Sequence, residues 1–249
     1  MKKLKTIICV ILALCFVVVI AYSGYQIYMI QADYRQESET HDMVMGFKPE
    51  DFEGAEQQSG EGKNVNQSII DLQKKHPDAI GWLTMNNTKI DYPIVKYTDN
   101  DYYLRRDING KSAAAGSVFM DYRCDKELTS QNTIIYGHHM KNGSMFGTLK
   151  SFNDKAFFDS NRYGTVYLPR DRLELEFFAY MVINPSTEKE IYNLEISGTY
   201  LDYVKNNAKN YRDIGLSEND RVVTLSTCAY EFADARMVLL AKVSQPTQK

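Results

Sequence analysis

The chain has 249 residues, 29 lysines and arginines against 32 aspartates and glutamates, a net charge of −3 and four cysteines. That length permits one substantial core, while the slightly acidic balance without a basic stripe argues against nucleic acid as a partner. So few cysteines exclude a small domain stapled by disulfides.

In chain order, Lys2, Lys3 and Lys5 precede the unbroken apolar stretch Ile7 to Ala21, which continues with more polar residues through Gly24, Gln26 and Tyr28 to Ile30. About twenty apolar residues cross a bilayer as a helix. Residues 1–30 are therefore expected to form a cytoplasmic tip and a transmembrane signal anchor, with the lysines inside and the remainder extracytoplasmic. Tyr22, Tyr25 and Tyr28 suit the membrane interface. Ala21-Tyr22-Ser23 loosely fits a cleavage site, so a removable signal peptide stands as the alternative. Residues 31–65 are charged, poor in large apolar side chains and end in Gln57-Gln58-Ser59-Gly60-Glu61-Gly62, the composition of an extracytoplasmic linker. Residues 66–249 are left as a single folded domain.

Within that domain, Ile69, Ile70 and Leu72 predict a short helix over 67–75, stopped by His76-Pro77. Strands are predicted at 82–85, 89–96, 116–120 and 133–136, then at 164–168 and 173–182 around the turn Pro169-Arg170-Asp171. Met145, Phe146, Leu149 and Phe152 are spaced for one helical face, and 199–207 for another. Cys124 lies among Tyr122, Arg123, Asp125 and Lys126 and is expected in a polar loop, a bystander to any chemistry. Many strands with few helices predict a mainly β domain, a sandwich or a barrel.

The chemistry concentrates near the C-terminus. The run Val222-Val223-Thr224-Leu225-Ser226-Thr227 ends in Cys228, and Arg236 opens a second apolar run, Met237-Val238-Leu239-Leu240-Ala241. A hairpin of these two strands brings a thiol and a guanidinium to one end. A nearby cation favours the thiolate and can hold an oxyanion. Alternation puts Cys228 on one face with Ser226 and Thr224, an unusually polar face for a sealed core. Upstream, Asn132-Thr133-Ile134-Ile135-Tyr136-Gly137-His138-His139 delivers an imidazole to another strand end. Cysteine, histidine and arginine make an acyl-transfer set. Each residue alone has a bland reading: a buried small hydrophobe, a surface histidine pair, a solvated edge charge. His138, His139 and Cys228 also raise zinc, but no C-x-x-C or H-x-x-x-H spacing completes a tetrahedral set, so neither metal nor cofactor is expected.

Thr224-Leu225-Ser226-Thr227-Cys228 with Arg236 resembles the active-site motif of the sortases, in its class B form. Tyr136-Gly137-His138-His139-Met140 followed by Asn142-Gly143-Ser144-Met145-Phe146 resembles the family's histidine segment. Ile90 to Val95, Asn100 to Leu104 and Gly116 to Asp121 also fit its pattern, so the likeness spans roughly residues 66–245. The resemblance implies an eight-stranded sortase-type β-barrel with flanking helices, and a helix-containing insert near 185–210. It implies a cysteine transpeptidase in which Cys228 is the nucleophile, His138 the acid and base, and Arg236 the oxyanion ligand. Ser226, Thr227 and Tyr136 are candidate substrate-binding residues. Its partners would be sorting-signal peptides of secreted proteins, of an Asn-Pro-x-Thr-like type, and a peptidoglycan amine. A membrane-tethered cysteine peptidase that hydrolyses the same peptides, or a non-catalytic wall-binding module, is the alternative.

Overall fold

The computed structural model describes residues 2–50, 65–228 and 235–244. Among these residues the elements begin in the order α1 (Lys2–Met45), α2 (Gln67–Lys75), β1 (Ala79–Met85), β2 (Asp91–Lys96), β3 (Val118–Met120) and β4 (Asn132–Tyr136). After α3 (Lys155–Ser160) come β5 (Tyr163–Tyr167), β6 (Arg172–Ile183), α4 (Gly198–Asn207), β7 (Asn210–Tyr211), β8 (Arg221–Cys228) and β9 (Arg236–Ser244).

The sheet runs β5-β1-β2-β3-β4-β8-β9-β6, and β5 pairs with β6 to close an eight-stranded barrel, with β7 added outside on β6. β6 is long enough to serve both: Tyr163 to Tyr167 pair with Glu176 to Arg172, and Tyr211 and Asn210 pair with Ala179 and Tyr180 further along. Closure leaves the barrel without an open edge.

Alternation sorts the side chains. Leu83, Ile94, Val118, Ile135, Leu175, Phe177, Leu225 and Leu239 fill the interior, joined by Phe146, Leu149 and Phe152 from the segment after β4. The opposite faces of β6, β8 and β9 are covered as well, with Phe178, Met181, Val222, Val238 and Leu240 packed under Ile191, Tyr200 and Val204 of the 185–210 insert. Covering on both faces explains why β9 reads as a continuous apolar run.

Helix ends follow their capping residues. Asn66 accepts from Ile69 N to start α2, Asp154 from Phe157 N to start α3, and Ser197 from Tyr200 N to start α4. Met145 and Phe146 do not join a helical face: Met145 has φ +50° in the loop, and a 3-10 turn begins only at Gly147. Cys124 lies in the expected polar loop, between exposed Tyr122, Arg123, Asp125 and Lys126, but its own side chain is buried. Its sulfur accepts from Ile134 N at 3.4 Å and faces the Asn132 carbonyl at 3.6 Å. The polar neighbours stay outside while the thiol fills the barrel wall.

The apolar stretch of α1 is helical, and its most apolar window has none of its residues buried against the rest of the molecule, as a membrane span requires. The helix does not stop at residue 30. It continues into the segment read as a linker, where Val44 is 2% exposed against the barrel and Phe47 meets the His76 ring edge-on. Too apolar-poor to fold alone, this stretch gains order by borrowing the barrel's surface; residues 51–64 lie outside the described residues.

Candidate active site

Two parallel strands and one hairpin assemble the site. β4 and β8 run side by side in parallel, with Tyr136 opposite Ser226, and Gly137 N donates to the Ser226 carbonyl at 3.2 Å. His138 and Cys228 each follow that pair by two residues, so both chains leave at the same end of neighbouring strands, whose spacing is about 4.8 Å. On the other side of β8, Cys228 stands opposite Arg236 in the antiparallel register with β9. The register thus brings histidine, cysteine and arginine positions abreast on three consecutive strands. The side chain of Cys228 and residues 229–234 lie outside the described residues.

Beside this end opens a cleft lined by Asn100, Leu104, Tyr136, His138, Pro185, Tyr192, Ser226, Thr227 and Arg236. His138 is half-buried, and its Nε2 is 2.6 Å from the Leu104 carbonyl. A carbonyl only accepts, so Nε2 carries a hydrogen and Nδ1 is left for proton exchange whenever the ring is neutral. Two glycines permit this meeting. A Cβ on Gly137 would lie 2.7 Å from the Phe146 ring, and one on Gly116 (φ +58°) would lie 2.6 Å from the Leu104 carbonyl oxygen.

The other sequence-predicted residues are also in the cleft. Ser226, 1% exposed, shares a 2.9 Å hydrogen bond with the Tyr192 hydroxyl. Tyr136 donates to Asp121 Oδ2 at 3.0 Å, and burial together with the Asp121 carboxylate pushes its phenol well above the ordinary range. Thr227 is buried at 3% exposure. Arg236 is half-buried, with Nη1 3.4 Å from the Ala235 carbonyl.

Sequence reasoning missed the supports. Asp121 is fully buried and gripped by Arg123 through Nε and Nη2, both at 2.9 Å. Burial alone would raise its pKa, but the Arg123 bonds, with help from Tyr136, hold the carboxyl below its usual range. Asn132 donates to the carbonyls of Ile191 and Asn193 at 3.0 and 2.8 Å and accepts from Thr224 Oγ1 at 2.8 Å, tying the insert that carries Tyr192 to β4 and β8. The only prior signal for Asn132 was an amide at the head of a β-branched strand.

Cys124 is no competing nucleophile. It is free and buried, and burial pushes its thiol up, away from the thiolate form.

A Sortase domain family model matches residues 83–244. Sortase B of Listeria monocytogenes is 39% identical over 186 residues, covering 72% of this chain and 75% of that protein. Sortase B of Staphylococcus aureus is 28% identical across 98% of both chains. Among solved structures, sortase B from Bacillus anthracis superposes with TM-score 0.71 at 33% identity, over 86% of this chain and 99% of that one. Clostridium perfringens sortase B gives TM-score 0.66 at 34% identity, over 71% and 99%. The closed barrel and the strand-end cleft therefore have one family behind them: the chain belongs to the sortases, which are cysteine transpeptidases. Within them it is of class B.

Proposed function

We propose that Cys228, His138 and Arg236 carry the transpeptidation, that Ser226, Thr227 and Tyr136 bind substrate, and that the acyl group moves from a sorting signal on a secreted protein to a peptidoglycan amine. The single observation supporting these roles is the register: Cys228 lies across from Arg236 on one side, and the continuation of the Tyr136–Ser226 pair on the other side is His138.

In this reading the Cys228 thiolate adds to a backbone carbonyl carbon of the signal peptide, and the oxyanion rests on the Arg236 guanidinium. Protonated His138 gives its proton to the departing amine, the C–N bond breaks, and a thioester remains on Cys228. The acceptor amine then attacks the thioester while neutral His138 takes its proton, and the thiolate leaves. The thioester conserves the energy of the peptide bond, so the transfer needs no nucleotide. Tyr136, Tyr192 and Ser226 form walls against which an extended peptide can lie.

The apolar window of α1 crosses the membrane with Lys2, Lys3 and Lys5 on the cytoplasmic side and the catalytic domain outside. The chain then divides into an anchor over 1–30, a connecting segment over 31–65 and the catalytic domain from 66 to 249, with α1 running across the first boundary.

The test incubates the full-length protein in detergent with Asn-Pro-x-Thr-type peptides and a peptidoglycan-like amine, followed by mass spectrometry. Acyl-enzyme on Cys228 and peptide ligated to the amine support the proposal. Free acid at a rate indifferent to the amine would make the chain a peptidase, and label on any other residue would remove Cys228 from its role.

A further inference from the structure

The histidine loop is held from outside by the membrane-anchored helix. Phe146 N donates to the His138 carbonyl at 2.9 Å, and His139 bridges to Met145, so residues 138–146 close on themselves. The loop's far side is pinned at Met145 N, which donates to the Tyr92 hydroxyl at 3.0 Å. That hydroxyl in turn donates to Glu37 Oε1 at 3.0 Å, and the His41 ring lies 4.8 Å from the Tyr92 ring. Met145 has φ +50°, a conformation that a side-chain-bearing residue keeps only when its surroundings impose it.

The same helical turns also hold the other partner of the imidazole. Gln36 Nε2 donates to the Ser112 carbonyl at 2.7 Å, within the crossover between β2 and β3 that carries Leu104. Ser117 N and Ala113 N, bonded to the Tyr103 and Arg105 carbonyls, connect that contact to the Leu104 backbone. Residues 36 and 37 of α1 therefore touch the supports of both ends of the His138–Leu104 hydrogen bond.

We propose that Tyr92 and Glu37 are positioning residues for the transfer reaction, the chain Glu37–Tyr92–Met145 setting where the His138 imidazole stands. This rests on the reading of His138 as the acid and base. Two features of the link suit that role. Tyr92 is 7% exposed, so packing fixes its ring, and its hydroxyl is used on both sides, donating to the helix and accepting from the loop. A carboxylate on the anchor helix is thus connected to the active site by two hydrogen bonds in series.

The experiment measures kcat and KM for peptide–amine ligation by the full-length protein in detergent, with active sites counted from acyl-enzyme formation. Tyr92→Phe, which loses both hydrogen bonds, and Glu37→Ala, which loses one, should each lower kcat about three- to tenfold, with KM within twofold and the active fraction unchanged. Because the two act in series, the double variant should be no slower than Tyr92→Phe alone. Glu37→Gln, which keeps an oxygen acceptor for the phenol, should recover most of the rate. Alanine suits the half-exposed helical position of Glu37, so that variant keeps the question open to measurement even where Tyr92→Phe folds poorly. Unchanged kcat in Glu37→Ala, multiplying effects in the double variant, or a loss confined to the active fraction would overturn the proposal. His138→Ala, run alongside, separates the two readings. If it is inactive while Glu37→Ala is normal, the imidazole's role stands and the strut falls; if it is active, both fall together.

Discussion

His138 Nε2 meets the Leu104 carbonyl at 2.6 Å, joining a loop that leaves β4 to a crossover that leads into β3. The contact decides which ring nitrogen is available, because a carbonyl can only receive the Nε2 hydrogen. On the proposed role of His138, Nδ1 is then the atom left to exchange protons with substrate. His138→Ala is expected to lower peptide–amine ligation about 10²- to 10⁴-fold. His139→Ala should be much milder, since alanine keeps the backbone bridge between residue 139 and Met145. Steady-state ligation rates check this, and the reverse order would assign the chemistry to the wrong imidazole.

Arg236 faces Cys228 across the hairpin. Arg236→Lys should lose most of the activity, about 10²-fold or more, because an ammonium keeps the charge but lacks the planar fork that holds an oxyanion and a second acceptor together. Cys228→Ala should abolish turnover and acyl-enzyme formation. Mass spectrometry of the enzyme with peptide but no amine checks the second point, and full turnover in either variant would remove the assigned role.

Gly137 has no room for a side chain, with the Phe146 ring 2.7 Å from where a Cβ would stand. Phe146 is fully buried in the barrel interior and cannot swing outward cheaply. Gly137→Ala is therefore expected to cost about 1–3 kcal/mol of stability and to displace the adjoining His138. A thermal melt and a ligation assay on the same sample should fall together.

Asp121 gives the fold a pH dependence. Its folded pKa lies below the ordinary carboxylate value, so the unfolded chain binds more protons in the window between the two. The stabilisation is fully present above about pH 4 and is lost as the pH falls through the folded value. Asp121→Asn removes the charge that Arg123 grips and should cost about 2 kcal/mol at neutral pH, with the difference from the natural chain narrowing in acid. Denaturant midpoints measured across acid pH check it, and a gap that stays constant with pH would contradict the sign.

Asn132 supports a wall of the cleft without reaching it. Asn132→Ala frees the carbonyls of Ile191 and Asn193 and leaves Thr224 without its acceptor, so the insert that holds the Tyr192 hydroxyl against Ser226 should loosen. KM for the peptide is expected to rise several-fold with kcat little altered, because the reacting groups stand on other residues. A fall in kcat at constant KM would show instead that Asn132 acts on the chemistry.

Local pattern carried far for this chain. The α2 span of 67–75 is legible because Ile69 and Leu72 share one face and Pro77 stops the helix; the β8–β9 hairpin is legible because two apolar runs flank a short connection. The six-residue α3 and the two-residue β7 escaped, since neither is long enough to show a period. Cys124 sits in the expected polar loop, yet its thiol faces inward, because the burial of one side chain is set by what packs around it rather than by adjacent residues.

What the sequence determined by itself is composition and order: an apolar N-terminal run long enough for a membrane, strands of period two, and a cysteine and an arginine at facing ends of one hairpin. Those follow from short-range chemistry, where each residue's neighbours in the chain are its neighbours in space. The pairing of β5 with β6 that closes the barrel, the parallel β4–β8 register that brings His138 level with Cys228, the Leu104 carbonyl at the imidazole, and the seating of residues 36–44 on the barrel were decided only by the tertiary structure. Each joins segments far apart in the chain, so its energy depends on how every intervening element packs, and no local stretch of residues contains it.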